Sequence, residues 1–371
     1  MRISVPKEIK TEERRVGLTP ESVAEVTDRG HEVFVERRAG AGAGFSDAEY
    51  AAQGARILDT ADEVFESGEL IVKVKEPLAV ERARLRPHHT LFTYLHLAPH
   101  PEQTHDLVAS GATAIAYESV TDRAGRFPLL APMSQVAGRM AVQAGARCLE
   151  ASAGGRGVLL GGVPGVAAAH VVVIGGGVVG RNAVEMALGL GADVTVLDLD
   201  AGALESLASR FGPAVRTLYS TPGALQRLMP TADLVIGAVL LPGARTPRLV
   251  TTTMVKQMRP GSVIVDVAID QGGCVETSRP TTHADPTFLV DGVVHYCVAN
   301  MPGAVPRTST QALNNVTLPY VLKLADLGPV ATIRSDPGLQ DGLTVRRGHI
   351  TEPAVADALG YPYTPPLETL D

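Results

Sequence analysis

Tryptophan is absent from the 371 residues, and aromatic side chains make up only 4% of them. An interior short of large rings has to be closed by small residues. The 38 glycines and the abundant alanine therefore point to close helix–sheet contacts. Cysteine is confined to Cys148, Cys274 and Cys297, far apart and without a Cys-x-x-Cys pair. That excludes a disulfide framework and indicates no metal site; three thiols suit a reducing cytosol. No apolar run approaches the roughly 20 residues that cross a bilayer, and the opening "MRISVPKEIK" lacks the apolar core of a signal peptide. Positive charge is also in deficit, with a net charge of -7, which argues against a nucleic-acid partner. What remains is a chain 45% hydrophobic and 20% charged, expected to be soluble and cytoplasmic and long enough for two domains.

The first third alternates strand and helix patterns: "RISVPKE", "HEVFVE", "LIVKVK", "LFTYLHLA" and "TAIAYESV" read as strands. Thr19 before Pro20 marks a helix start, and "SDAE" from Ser46 and "TADE" from Thr60 read as capping boxes. A long helix rich in small residues follows from Pro132, then a Gly-rich stretch. A second series runs through "HVVVI", "DVTVLD", "RTLYS", "DLVIGAV", "SVIVDVAI" and "VVHYCVAN". The helix "QALNNVTLPYVLKLADLG" is expected to return the chain to the first domain. The pattern predicts an α/β fold of two doubly wound, mostly parallel sheets. One domain is discontinuous, 1–131 and 307–371, and 132–306 is inserted in it.

The stretch "VVVIGGGVVGRNAVEMALGLGADVTVLD" contains a strand, a GxGxxG turn at Gly175, Gly177 and Gly180, a helix and a second strand ending at Asp198. The glycines allow a tight turn, backbone access to a pyrophosphate and close helix–strand packing, and the helix N-terminus favours the phosphates. An acidic residue about twenty positions on suits the ribose hydroxyls and repels a 2′-phosphate, so the motif predicts NAD rather than NADP. No tyrosine is followed four residues later by lysine, so the catalytic pair of short-chain dehydrogenases is missing. The acid–base group must lie elsewhere.

Ligands of such sheets sit beyond the C-terminal ends of parallel strands. Charged residues predicted there are Arg14 and Arg15 after the first strand, Lys73 and Lys75 in "KVKEP", His96 in "LFTYLHLA" and Asp270 beyond "VIVDVAI". Asp266 lies inside its strand and reads as structural. Singly, each has a plain explanation: a surface cation, a capping carboxylate, a core histidine. Together, cations for a carboxylate and an imidazole for proton transfer suit a small anionic substrate in a cleft between two domains.

The opening "VPKEIKTEERRVGLTPESVAEVTDRGHEV" resembles the N-terminal signature of the alanine dehydrogenase and pyridine nucleotide transhydrogenase family. "KVKEP", "LFTYLHLA", "LLAPMSQVAGRMAVQAG", "GGVPGV", "DVAIDQGGC" and "YCVANMPGAVPRTST" are similar to its alanine dehydrogenases. The resemblance implies reversible NAD-dependent oxidative deamination of L-alanine to pyruvate and ammonium, by a cytoplasmic homo-oligomer, commonly a hexamer. It implies that His96 and Asp270 are the acid–base pair and that Arg15 and Lys75 bind the substrate's anionic end. Tyr94, Met133 and Asn300 would complete the substrate site. NAD would contact Ser134, Gly175, Gly177, Val178, Val179, Gly180, Asp198, Ser220, Val239, Leu240, Ile269, Arg279, Val298 and Met301. Ala203 stands where relatives often carry a basic residue, and "TEE" replaces the usual residues before the Arg-Val pair. The rival readings are the NAD-binding component of a transhydrogenase, a saccharopine dehydrogenase and a non-enzymatic NAD sensor.

Overall fold

The structure is a computed structural model that describes residues 1–239 and 246–370. The capping signals read from the sequence stand where helices begin. The Thr19 side chain accepts from the Ser22 N–H at the start of the helix Pro20–Asp28. Ser46 and Thr60 each complete a capping box, opening Asp47–Ala52 and Ala61–Ser67. Such caps typically contribute about 1 kcal/mol each. The chain divides into two compact units, Met1–Met133 with Val305–Asp371, and Ser134–Ala304.

The first unit begins with strands β1 (Arg2–Val5), β2 (Glu32–Glu36), β3 (Arg56–Leu58), β4 (Leu70–Val72), β5 (Thr90–Thr93) and β6 (Thr113–Ala116). They pair in parallel in the order β3-β2-β1-β4-β5-β6. The reversal of winding between β1 and β4 makes that point the natural crevice of the sheet. Part of the core is built from Phe65, Ile71, Leu91 and Leu107, with Val345 and Ile350 from the C-terminal segment.

The second unit carries β7 (His170–Ile174), β8 (Asp193–Asp198), β9 (Val215–Tyr219), β10 (Leu234–Gly237), β11 (Val263–Asp266), β12 (Thr287–Val290) and β13 (Val293–Tyr296). The parallel order β9-β8-β7-β10-β11-β13 repeats the winding of the first sheet, and β12 adds an antiparallel edge. This is the doubly wound arrangement of dinucleotide-binding domains. The small residues of the helix Ala131–Cys148 permit close approach. A Cβ at Gly138 would lie 2.2 Å from the Val179 carbonyl oxygen, and one at Gly145 would lie 2.6 Å from Leu234 Cδ1. The helix Pro306–Leu327 belongs to the first unit, whose sheet is completed by β14 (Leu343–Arg346) and β15 (His349–Ile350), both antiparallel to their neighbours.

Several strands stop earlier than the sequence suggests. β4 ends at Val72 rather than Lys75, β5 at Thr93 rather than Ala98, and β11 at Asp266 rather than Ile269. The apolar pattern overruns because burial continues past the ladder: Val74, Leu95, Leu97 and Ile269 are all buried. The antiparallel strands β12, β14 and β15, and the short β3, went unread. Both sheets are consequently mixed at an edge, with the predicted parallel core intact. Among the described residues, no single helix is long and apolar enough to cross a membrane.

Candidate active site

In the first unit, the loops after four adjacent parallel strands carry the charged residues that the strand-end rule singles out. Glu8 and Arg15 follow β1, Lys73 and Lys75 follow β4, His96 follows β5 and Glu118 follows β6. The two lysines differ sharply. Lys73 is fully buried, and its ammonium lies 3.1 Å from Glu8 and 2.7 Å from Glu81. Burial alone would lower its pKa, but the two carboxylates outweigh it and hold the ammonium charged. Lys75 is partly exposed. Its backbone is fixed on both sides, since its N–H donates to Glu8 Oε1 at 3.3 Å and its carbonyl accepts from Thr93 Oγ1 at 3.0 Å.

Arg15 is only 2% exposed, not a surface cation. Its Nε and Nη2 donate to the two oxygens of Glu13 at 2.7 and 2.6 Å, a bidentate pair that overcomes the burial penalty and raises its pKa. Its Nη1 lies 3.0 Å from the Met133 sulfur. Tyr94 is buried with its hydroxyl donating to the Leu129 carbonyl at 2.6 Å. Its ring lies parallel to that of His96, centroids 6.0 Å apart. Arg15 thus meets Met133, and Tyr94 lies beside His96, all within the first unit.

His96 lies beyond the strand in which the sequence placed it. Its backbone is left-handed, φ 50°, and its side chain is 43% exposed. Glu118 accepts from the N–H groups of Leu95 and His96, and lies 3.6 Å from His96 Nδ1. Behind it, Glu352 accepts from the Ser119 hydroxyl at 3.1 Å. Burial, aided by the charge of Glu118, pushes the Glu352 carboxyl from an ordinary 4.5 up to about 7.

A carboxyl raised in the folded state stabilises most below its unfolded pKa, and that contribution is lost as pH rises through the folded value. Stability should therefore fall between about pH 4.5 and pH 7, by an amount on the order of 1–3 kcal/mol from this group. Glu352→Gln should abolish that portion of the slope and be the more stable protein at pH 8. Chemical denaturation at pH 4.5, 6 and 8 measures this; equal slopes for parent and variant would disprove it.

In the second unit, the glycine turn follows β7. Gly175 has φ 105°, and a Cβ at Gly180 would lie 1.7 Å from the Gly175 carbonyl oxygen, so turn and helix are in direct contact. Gly177 is exposed, and a Cβ there meets nothing within 4 Å. Its absent side chain leaves open space over the turn rather than relieving a clash. The helix Val178–Gly189 starts there without a side-chain cap, as a phosphate-binding helix does. Asp198 ends β8; its carboxylate accepts from the Gly176 N–H and, at 2.8 Å, from the Asp200 N–H. The Ser220 N–H donates to the Asp198 carbonyl at 2.8 Å. These residues fit a bound dinucleotide: N–H groups for the pyrophosphate and a carboxylate at the end of the second strand.

Asp270 is exposed on the short helical turn Val267–Gln271 that follows β11. It accepts from the Asn300 N–H at 3.3 Å, and Asn300, like His96, has a left-handed backbone, φ 61°. Asp266 is the structural carboxylate expected. Fully buried, it accepts from the Cys274 and Val275 N–H groups at 3.0 and 3.2 Å. Val179, Ile269, Val298 and Met301 are buried, Ser134, Val178 and Val239 are partly exposed, and Arg279 stacks on the Phe288 ring at 4.2 Å. Leu240 lies outside the described residues. The three cysteines are free and buried.

Sequence reasoning missed the carboxylates. Glu8, Glu13, Glu118 and Glu352 engage the named site residues or their supports, and three of them were open to the same rule that found His96. Glu8 and Glu13 follow β1 and Glu118 follows β6. An acidic residue at a strand end neither attracts a substrate carboxylate nor stands out as a proton carrier, so residue type alone does not mark them.

Two doubly wound units, one with a glycine turn, an open helix start and a strand-end carboxylate, define a protein with a Rossmann-type fold. Comparison with known families narrows this. Residues 4–137 match "Alanine dehydrogenase/PNT, N-terminal domain" and residues 141–353 match its C-terminal counterpart. The chain belongs to the alanine dehydrogenase/PNT family. It is 59% identical over 363 residues to alanine dehydrogenase of Halomonas elongata, covering 98% of both chains. Among solved structures, an L-alanine dehydrogenase superposes with a TM-score of 0.94 at 53% identity, covering 97% of this chain and 99% of that one. A transhydrogenase from Sinorhizobium meliloti gives 0.81 at 25% identity, covering 95% and 100%.

Proposed function

We propose that the protein catalyses the reversible NAD-dependent oxidative deamination of L-alanine to pyruvate and ammonium. The observation that carries this reading is the row of strand ends in the first unit. There, Arg15, Lys75 and His96 follow three neighbouring strands, Arg15 meets Met133 and Tyr94 lies beside His96, a set suited to charge recognition and proton transfer. Two of the relatives named above are alanine dehydrogenases, and both matches extend over nearly the whole chain. NAD would be held by the turn at Gly175–Gly180 and by Asp198, and would supply the acceptor for a hydride from the substrate Cα.

Arg15 and Lys75 hold the anionic end of alanine, and the short side chain meets Tyr94 and Met133. Alanine reacts as the neutral amine, its ammonium proton having passed to solvent, and loss of hydride then leaves an iminium carbon. Water adds to that carbon as His96 or Asp270 takes its proton. The resulting carbinolamine expels ammonia when its nitrogen is protonated, and its hydroxyl proton leaves as the pyruvate carbonyl forms. Our reading also takes the protein to be cytoplasmic and a homo-oligomer, with a hexamer expected by light scattering.

The transhydrogenase reading transfers hydride between two nucleotides and needs no amino-acid site, so it gives the set Arg15, Lys75, His96 and Asp270 no purpose. Purified protein, NAD and a panel of amino acids, followed by NADH absorbance, separates the two. Turnover with L-alanine is expected, and none with any amino acid would reject the proposal.

A second expected result concerns the cofactor. Asp198→Ala should weaken NADH binding by about 10–100-fold, as for loss of charged hydrogen bonds. It should also raise the NADPH-to-NADH preference, since the carboxylate that repels a 2′-phosphate is gone. Fluorescence titration with both nucleotides measures this. Equal use of NADPH by the parent would refute the assignment.

A further inference from the structure

We infer that Glu118 is the positioning residue for His96, holding the turn from which the imidazole projects. The inference rests on the proposed acid–base role of His96. The left-handed backbone of His96, φ 50°, is costly for a residue other than glycine. Such strain, typically about 1–3 kcal/mol, persists only where the surroundings over-determine it. Here they do. The Glu118 carboxylate accepts from two consecutive N–H groups, Leu95 at 3.1 Å and His96 at 2.5 Å. The opposite edge of the turn is tied by Gln103 Nε2 donating to the Leu95 carbonyl at 2.8 Å and Thr104 Oγ1 donating to the Leu97 carbonyl at 3.1 Å. A negative acceptor shared by two N–H groups is stronger than a neutral one. It stands at the residue whose orientation proton transfer depends on.

The same device occurs one strand away. Glu8 accepts from the N–H groups of Val74 at 2.7 Å and Lys75 at 3.3 Å. In both loops, the residue with a proposed chemical role is the second member of a carboxylate-held N–H pair. Glu118 is expected to act through His96 and not on the substrate.

A double-mutant cycle tests this. Glu118→Gln and Glu118→Asp are made alone and with His96→Ala, and pyruvate turnover, the KM for NADH and the thermal midpoint are measured on each. Misplacement of a reacting group by about 1 Å costs on the order of 10²-fold. E118Q should therefore lower kcat by about that factor, leave the KM for NADH unchanged, and E118D should recover part of the loss. Added to H96A, where no imidazole remains to be aimed, E118Q should change the residual turnover by less than about twofold. An equal loss in both backgrounds, or full turnover in folded E118Q, overturns the inference. If E118Q does not fold, E118D carries the cycle by the same criterion. Parental turnover in H96A alone would instead refute the role of His96.

Discussion

His96→Ala is expected to fold and to bind NADH like the parent, yet to turn over alanine and pyruvate about 10²–10⁴-fold more slowly. The expectation comes from where the side chain lies. A core histidine satisfied by a carbonyl would be enclosed, as His295 is, fully buried between the Thr277 hydroxyl and the Val293 carbonyl. The His96 imidazole is instead 43% exposed, beyond the C-terminal end of β5, parallel to the Tyr94 ring. Little packing is lost on truncation, so a stability change within about 1 kcal/mol is expected. Because the backbone is left-handed, His96→Asn provides a control, asparagine being a side chain that tolerates this conformation. Both variants should lose turnover alike. A destabilised protein that keeps parental turnover would return His96 to a structural role.

The fold was legible where local chemistry and periodicity agree. The caps at Thr19, Ser46 and Thr60, the strands β1, β2, β7 and β8, and the turn at Gly175–Gly180 all follow from residues within a few positions of one another. Strand ends were less legible, because hydropathy reports burial and not pairing. Leu95 and Leu97 are as buried as Leu91, but the N–H of Leu95 goes to a carboxylate instead of a neighbouring strand. The antiparallel hairpin β14–β15 was hidden for the opposite reason: it is short, and its charged turn at Arg347 and Gly348 dominates the local pattern.

Among the candidate site residues, those that bear unusual chemistry for their surroundings could be selected from the sequence, whereas the strand-end rule reaches some of the supporting carboxylates without showing what they hold. A glutamate near a strand end is common, and only three dimensions show that Glu13 grips Arg15 with both oxygens or that Glu118 spans two N–H groups. Two lysines two residues apart illustrate the limit. By alternation alone, Lys73 and Lys75 share a face of a strand. The strand ends before either, and they go to different environments.

That difference yields the remaining large effect: replacing each lysine by alanine should produce losses of different kinds. Lys73 is fully buried between Glu8 and Glu81, whose side chains are 2% and 3% exposed. Lys73→Ala leaves two carboxylates buried with no cation between them, and removing one partner of a buried ion pair costs about 3–5 kcal/mol. The damage should also spread to Lys75, because Glu8 holds the Val74 and Lys75 N–H groups. Lys73→Met, which fills the volume but not the charge, should recover little. Lys75→Ala removes a partly exposed ammonium. It should leave the unfolding free energy within about 1 kcal/mol of the parent while abolishing measurable turnover, with NADH binding nearly intact. Urea denaturation and pyruvate turnover on the same preparations separate the two. If Lys75→Ala unfolds the protein or keeps the parental kcat and KM for pyruvate, Lys75 is not a substrate residue. If Lys73→Ala is as stable as the parent, the buried triad of Lys73, Glu8 and Glu81 does not hold these loops together.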